Sequence, residues 1–233
     1  MIRLHHCHQT RSMRSLWLLH ELGVEFELVE HPFDKSLRAP EFLVLNPAGR
    51  VPVLEIHGDV VWETGAITQV LCERYPEGGM GRPEGALDRP EWLVWVHFAE
   101  TISQHVAALT QQHIALYDDS MRSPIVMKLE AARLQKCYAA IEGRLSTPVE
   151  NRDCLLTGGF SAADISVGQA VYMARHFARI EPYPELTKWY ERITARPAFR
   201  ASLPPEGADV LYRRDFYPAW EMGADKSKGT RGA

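Results

Sequence analysis

The chain of 233 residues lacks the features that mark membrane, secreted or nucleic-acid-binding proteins. It has no apolar run long enough to span a bilayer, and its first residues, MIRLHHCHQTRS, have neither the apolar stretch nor the cleavage site of a signal peptide. Its 26 Lys and Arg residues against 30 Asp and Glu residues give a formal net charge of −4, with no long block of one sign. We therefore expect a cytoplasmic protein whose partners include neither nucleic acid nor a membrane.

Cysteine is also scarce, and no CxxC pair occurs among the four cysteines, which predicts reduced thiols. The row His5, His6, Cys7 and His8 resembles a metal site at first sight. Side chains alternate faces along a strand, so His5 and Cys7 would point one way and His6 and His8 the other. Because no second ligand pair has a suitable spacing, we expect no metal.

The first seventy-odd residues alternate strand-like and helical patterns. The order is βαβ, then a short helix, then two strands joined at His57-Gly58-Asp59 and a closing helix, which is typical of a small mixed sheet covered by helices. The predicted strands are 2–7, 24–31, 51–56 and 60–62, and the predicted helices are 12–22, 40–47 and 64–75.

The stretch from Pro76 to Pro90 is rich in glycine and proline and reads as an interdomain linker, after which every segment has helical periodicity. We expect a first domain at 1–78, a linker at 79–89, an all-helical domain at 90–221 and a disordered tail at 222–233. The helices of the second domain are predicted at 90–117, 123–145, 161–178 and 184–195.

The turn from the first strand into the first helix contains two small hydroxyl residues, Thr10 and Ser12. Both stand where helix N-caps belong. The free N–H groups of a helix start also suit an anion or a thiolate. From this segment alone, capping is the favoured role.

Several motifs between residue 1 and about residue 203 resemble motifs of the cytosolic glutathione transferases, and they occur in the same order and at similar spacing. They are NPAGRVP at 46–52, WETGAI at 62–67, and the later segments RPEWLVWVHFAE, TGGFSAADISVGQAVY and WYERITARPAFRAS. The segment TRSMRSLWLLHELG is similar to a sequence pattern that is common in a bacterial and fungal branch of that family. The resemblance implies an α+β thioredoxin-like N-terminal domain, an all-α C-terminal domain and a homodimer, with glutathione as co-substrate and no cofactor.

The resemblance also implies a glutathione site. With a cis Val51-Pro52 bond, the backbone of Val51 would pair with the cysteinyl part of glutathione like an added strand. Thr64 would receive the γ-glutamyl carboxylate through its hydroxyl and N–H, and Glu63 would meet the ammonium group. Arg50 would lie near the glutathione backbone or glycyl carboxylate, or remain a solvated loop residue.

Matching through RSLWLL puts Thr10 where serine or cysteine stands in several branches of the family, so Thr10 is the predicted hydrogen-bond donor to the thiolate. Ser12 is the second candidate, because the tyrosine of the animal-type branches is missing. Arg11 or Arg14 would add positive potential, unless both are simply exposed. Cys7 would form a mixed disulfide with glutathione only if it faced the pocket.

Other conspicuous residues have simpler explanations. Ser161 and Asp164 form a predicted capping box, so Asp164 is not expected to be a catalytic acid. The stripe Trp92, Trp95, Phe98 and Ala99 is more typical of a core than of a substrate site. Residues that would border the substrate pocket are Tyr117, Met121, Tyr212, Phe216, Tyr217 and Trp220.

The leading hypothesis for function is attack of the glutathione thiolate on a small hydrophobic electrophile. A second is glutathione-dependent reduction of peroxides or disulfides by the same thiolate. A third is a non-catalytic binding or regulatory protein on the same fold, against which the intact NPAGRVP and ETGAI motifs weigh.

Overall fold

A computed structural model describes residues 1–147 and 153–219 of the chain. The predicted tail at 222–233 and Trp220 lie outside these residues. Within them, no helix is long and apolar enough to cross a membrane.

The N-terminal part is a four-stranded mixed sheet with three helices. The strands lie in the order β2-β1-β3-β4, with β1 parallel to β2 and antiparallel to β3, and with β4 antiparallel to β3. The predicted element order is confirmed, although the second strand is shorter than 24–31 because only four of its residues pair with β1. The elements are β1 (Ile2–His6), α1 (Ser12–Leu22), β2 (Glu27–Glu30), α2 (Pro40–Leu43), β3 (Val53–Ile56), β4 (Asp59–Trp62) and α3 (Thr64–Arg74).

The second part is helical, as predicted, but two helices end earlier than the sequence suggested. The helix predicted at 90–117 is α-helical only to Thr110 and continues as a π-helical turn, Gln111–Ala115. The helix predicted at 161–178 ends at Ala174. Pro197 starts a separate short helix, since proline cannot continue the preceding one. These helices are α4 (Arg89–Thr110), α5 (Pro124–Ser146), α6 (Ala162–Ala174), α7 (Pro184–Thr194) and α8 (Pro197–Ala201).

Helix α6 lies at the centre of the helical part, and nearly all of its residues are buried. The predicted capping box at its start is confirmed: the Ser161 hydroxyl accepts from the N–H of Ala163 at 3.2 Å, and the Asp164 carboxylate accepts from the N–H of Ser161 at 3.0 Å. The same carboxylate accepts from Trp189 Nε1 at 3.0 Å. Asp164 therefore holds α6 and α7 together, as a structural residue should.

The sheet and the helices share one hydrophobic core, and α1 lies at their junction. Trp17 of α1 is fully buried and packs edge-on against Phe199 of α8, with ring centroids 4.9 Å apart. Helix α6 approaches α1 closely at Gly168, where a Cβ atom would lie 2.5 Å from Ile193 and 3.2 Å from Trp17. Because both halves of the chain pack on α1, the start of this helix is held in a fixed position between them.

Candidate active site

A cleft of about 760 Å³ opens between the two parts of the chain at the start of α1, and we call it the first cleft. Three of the predicted site residues, Thr10, Arg50 and Val51, line it. The other four, Ser12, Pro52, Glu63 and Thr64, are not among its lining residues. The remaining walls come from 33–38, 48–49, the end of α4, Met173 and the segment at 211–212.

Thr10 lies at the edge of the first cleft with its hydroxyl already paired. Its Oγ1 donates to the carbonyl oxygen of Cys7 at 2.8 Å and lies 2.8 Å from Ser12 Oγ. The N–H of Ser12 donates to the same oxygen at 3.3 Å. Neither hydroxyl residue is the N-cap of α1, which is Arg11 with no side-chain cap, so the expectation of simple capping is wrong.

Ser12 is completely buried behind Thr10. Its Oγ accepts from the N–H of Cys7 at 3.1 Å, and it lies 3.1 Å from the carbonyl oxygen of Cys7 and 2.8 Å from His6 Nδ1. Burial, followed by the neighbouring His8, lowers the pKa of His6 to about 3, so its imidazole is neutral at physiological pH. Ser12 thus connects a neutral histidine to the hydroxyl of Thr10, a residue that lines the cleft.

The loop at 46–52 is shaped by two of its own residues. The buried side chain of Asn46 donates to the carbonyl of Arg50 at 2.7 Å and accepts from the N–H of Ala48 at 2.9 Å. Gly49 has a φ of +60°, and a Cβ atom there would lie 2.9 Å from the carbonyl oxygen of Leu37. The Val51-Pro52 peptide bond is cis. The sequence NPAGRVP therefore folds locally into a turn that brings Arg50 and Val51 to the cleft.

The start of α3 has a different construction. Glu63 is exposed and has a φ of +75°, a conformation that costs a residue with a side chain about 1–3 kcal/mol and often occurs at functional sites. Thr64, in contrast, is buried. Its hydroxyl donates to Glu100 Oε1 at 2.7 Å and accepts from Arg14 at 3.0 Å. The one hydrogen bond that this hydroxyl can donate is therefore already made, to a protein carboxylate.

Arg14 is the centre of a polar network that the sequence did not predict. Its side chain is only 1% exposed. The guanidinium pairs with Glu100 and also donates to Ser103 at 3.2 Å and to Gln169 at 3.3 Å. Gln169 in turn donates to the carbonyl of Thr10 at 3.2 Å. The network therefore joins α1, α3, α4 and α6 immediately behind the first cleft.

Glu100 is ionised within this network. Burial alone would raise the pKa of its carboxyl, but Arg14, Thr64 and Arg11 more than offset burial and lower the pKa to about 2. Arg11, which lines the cleft, pairs with the second carboxylate oxygen at 2.8 Å.

The histidines near the N-terminus pair with other side chains. His5 contacts His31 and Glu55 at 2.9 and 3.0 Å, whereas His6 contacts His8 at 3.3 Å, so the predicted alternation holds for the histidines. Cys7 follows the end of the strand and lines a cavity together with His8, contrary to the prediction that it would face the side of His5. Among the described residues, no group of three or more His, Cys, Asp or Glu residues could hold a metal ion.

Comparison with known proteins agrees with this architecture. The family model for the glutathione S-transferase N-terminal domain matches residues 1–71, and the model for the C-terminal domain matches residues 119–197. The chain belongs to the glutathione S-transferase family. Its sheet and helical parts are the two domains of that fold.

Individual glutathione S-transferases resemble the chain along most of its length. Glutathione S-transferase 1 of Saccharomyces cerevisiae is 28% identical, covering 87% of this chain and 94% of its own length. Glutathione S-transferase 4 of Zea mays is 32% identical, with 84% and 89% covered. A sphingomonad glutathione S-transferase, solved in complex with glutathione, is 26% identical with a TM-score of 0.72, covering 86% of this chain and 96% of that one.

The helical domain of this glutathione S-transferase supplies fewer pocket residues than expected. Tyr212 lines the first cleft, and Gln9 fixes it there by accepting from its N–H at 2.7 Å. Tyr117 and Met121 are exposed and line neither the first cleft nor the cavity that contains Cys7. The core interpretation holds for the buried residues Trp92, Trp95 and Ala99, while Phe98 is partly buried against the core.

All four cysteines are free and buried. Burial raises the pKa of the Cys7 thiol to about 11, with Asp209 and Asp34 adding to the effect. A thiol with a raised pKa is a poor nucleophile at neutral pH. Although Cys7 lines a cavity, its burial and raised pKa therefore disfavour a mixed disulfide there.

Proposed function

We propose that this protein is a glutathione transferase that binds glutathione in the first cleft and activates its sulfur beside Thr10 for attack on an electrophile. The observation that carries the proposal is the position of Thr10, which lines the cleft just before a helix that both domains hold. A thiol near pKa 8.5 requires about 2.7 kcal/mol of preferential thiolate stabilisation to lower that value by two units. A hydroxyl donor and the N–H groups of a helix start are suited to supply it.

The charges of the first cleft suit a doubly charged tripeptide. Arg11, Lys35, Arg38 and Arg50 line it against a single acid, Asp34. Val51 lies in the same wall, next to the start of β3, where an extended cysteinyl backbone can pair with its N–H and C=O. The related sphingomonad enzyme was solved with glutathione, which is consistent with this assignment.

At the start of α3, we assign the γ-glutamyl carboxylate to backbone N–H groups. The first N–H groups of a helix have no acceptor within the helix and carry partial positive charge. The Thr64 hydroxyl donates to Glu100, so its role in this proposal is to fix the helix start. Exposed Glu63, in its strained conformation, is left to pair with the ammonium group of the same glutamyl unit.

Thr10 has only one proton, so a thiolate must compete for it with the carbonyl of Cys7. Ser12 resolves this competition, because its Oγ lies 3.1 Å from the same carbonyl and can donate there in place of Thr10. Neutral His6 then donates from Nδ1 to Ser12 and accepts at Nε2 from His8. In this arrangement Ser12 is a positioning residue, and the Thr10 proton is free to turn towards sulfur.

The test is retention of the purified protein on immobilised glutathione, followed by conjugation of 1-chloro-2,4-dinitrobenzene. We expect elution by the free tripeptide and conjugation above the uncatalysed rate. Passage straight through the column would favour the non-catalytic hypothesis. Binding with strong turnover of peroxides or disulfides, but weak conjugation, would favour the reductase hypothesis.

We also expect the chain to form a homodimer, as the family resemblance implies. The exposed apolar side chains of Val60 and Trp62 on β4 and of Val94 on α4 are consistent with a covered surface. A monomeric mass in light scattering at micromolar concentration would contradict this expectation.

A further inference from the structure

A second cavity of about 520 Å³ adjoins the first cleft, and we call it the arginine-lined cavity. The two share Phe33 and Leu211 as wall residues. Cys7 and His8 line the arginine-lined cavity, only two or three residues before Thr10 in the chain. A molecule whose reacting atom lies at Thr10 therefore has room to extend past Leu211 into this cavity.

The charge of the arginine-lined cavity is opposite to that of the chain. Arg122, Arg213 and Arg214 line it against one acid, Asp209, whereas the whole protein carries a formal charge of −4. In the proposed binding mode, the basic residues of the first cleft surround the glycyl carboxylate of glutathione, and the γ-glutamyl carboxylate lies at the start of α3. Glutathione in the first cleft does not neutralise the arginines of the arginine-lined cavity. Their positive charge is therefore suited to bind a different anion.

The three arginines of this cavity are only partly neutralised by other residues of the protein. Arg122 donates from Nε and Nη2 to the carbonyl of Leu116 at 3.2 and 2.9 Å and pairs with Asp119 at 2.8 Å, so it also holds the segment that follows the π-helical turn. Arg213 lies 3.5 Å from Asp209, but both side chains are about four-fifths exposed, so the pair adds little stability. Arg214 forms no ion pair with any described side chain; its guanidinium lies 5.9 Å from the ring of Tyr217.

His113 lines the same cavity, although its Nε2 is shielded from it, being buried without a hydrogen-bond partner among the described residues. Burial, together with Arg122 and Arg214, lowers the pKa of His113 to about 4, so the ring is neutral at physiological pH and adds no positive charge of its own. The ring stacks on Phe177, with centroids 5.5 Å apart, and therefore contributes apolar surface beside the arginines.

We propose that the electrophile conjugated beside Thr10 carries an acidic group, a carboxylate or a sulfonate, on a flat apolar body, and that the arginine-lined cavity holds that group. The apolar body fits the remaining lining, which includes Phe33, Ile114, Leu211 and Tyr217. The inference rests on the proposed transferase function and narrows its substrate class from hydrophobic electrophiles in general to acidic ones.

A matched pair of substrates tests the inference: 4-chloro-3-nitrobenzoate, which carries the acid, and its neutral analogue 4-chloro-3-nitrobenzamide. In both reactions the glutathione sulfur bonds to the ring carbon, chloride leaves with the electron pair of the broken bond, and the thiol proton passes to solvent. Each kcat/KM is divided by the uncatalysed rate constant with glutathione to remove intrinsic reactivity. We expect the benzoate to be preferred at least about fivefold, with the preference falling as salt screens the arginines.

The variant Arg214→Gln removes the arginine that has no ion-pair partner in the described chain. We expect it to lower the preference for the benzoate by about two- to fivefold, the range of one partly exposed ion pair, through KM rather than kcat. Arg200→Gln removes the same charge from exposed α8 and should leave the preference unchanged. Equal values for the two substrates, or equal effects of the two variants, would overturn the inference while leaving the transferase function intact.

A binding measurement decides the inference even without turnover. Calorimetric titration with 4-chloro-3-nitrobenzoate, with S-methylglutathione filling the first cleft, should show binding that weakens in Arg214→Gln and is absent for the benzamide at the same concentrations. The proposed function fails only if 1-chloro-2,4-dinitrobenzene is not conjugated either, and in both cases this titration still tests the acidic-ligand site. No benzoate binding, or equal binding of both compounds, would overturn that site.

Discussion

Two threonines lie close to the starts of helices, Thr10 two residues before α1 and Thr64 as the first residue of α3, and their hydroxyls have opposite surroundings. Thr10 lies at the surface of the first cleft, among neutral partners that can exchange, namely the carbonyl of Cys7 and the hydroxyl of Ser12. Thr64 is buried between two charges, Arg14 and Glu100, which fix both its proton and its lone pairs. The Thr10 hydroxyl can therefore turn to a different acceptor, whereas the Thr64 hydroxyl keeps its partners and holds the helices together.

The largest effect should come from removing the cation beside Thr64. Arg14→Met is expected to lower the free energy of unfolding by about 3 kcal/mol, the low end for a broken buried ion pair, because Glu100 is one-third exposed and retains Arg11. Arg11→Gln breaks a more exposed pair with the same carboxylate and should cost less than about 1 kcal/mol. Denaturant titration measures both, and equal losses would mean that burial of Arg14 does not set its contribution.

Acid should weaken the same network. The pKa of Glu100 is lower in the folded protein, about 2, than its ordinary value of 4.5, so its stabilising contribution is complete above that value and is lost as the pH falls towards 2. Glu100→Gln removes this titration. Between about pH 5 and pH 2.5 the variant should therefore lose less free energy of unfolding than the wild type. Parallel pH profiles would show that Glu100 is not held as an anion.

Thr64→Val should have a smaller effect that is mainly structural. It replaces the hydroxyl by a methyl group of the same shape and leaves Arg14 and Glu100 each without one partner, at a cost of about 1–3 kcal/mol. Thr68→Val, one turn later and equally buried, loses only a bond to the carbonyl of Thr64 and is the matched control. A larger loss in the Thr68 variant would contradict the role assigned to the charged pair.

The sequence predicted features that depend on neighbouring residues. The capping box at Ser161 is made by side chains that bond to backbone within three residues, so its spacing is visible in the sequence. The turn at 46–52 was not predicted: the helix predicted at 40–47 ends at Leu43, and the strand predicted at 51–56 begins at Val53. The position of Thr10 followed from family resemblance. The pairing of Arg14 with Glu100 could not be read in this way, because these residues are 86 positions apart and the fold alone determines that α1 and α4 face each other.

Ser12 illustrates a second limit of sequence reasoning. It was a candidate donor because hydroxyl residues near a helix start look equivalent in sequence, yet the structure buries Ser12 completely and leaves Thr10 at the cleft. Thr10 precedes α1 by two residues, whereas Ser12 is its first residue and is buried. The predicted start of α1 at residue 12 is confirmed, but the sequence does not show which of the two hydroxyls the fold buries.

A smaller effect is expected for Ser12→Ala. The variant removes the alternative donor to the carbonyl of Cys7, so the Thr10 proton stays on that carbonyl, and the thiol pKa of bound glutathione should rise by less than one unit. Ser15→Ala is the control, since the hydroxyl of Ser15 is buried in the same helix without a hydrogen-bond partner among the described residues. A pKa change of equal size in both variants would remove Ser12 from the mechanism.

The thiol pKa of glutathione bound to Thr10→Val tests the central claim most directly, and ultraviolet titration of the thiolate measures it. Valine keeps the shape of threonine and removes the donor, so we expect the pKa to rise by about one unit, or 1.4 kcal/mol of lost thiolate stabilisation. Thr10→Ser should restore the wild-type value. A thiol pKa in Thr10→Val equal to that of the wild type would contradict the account.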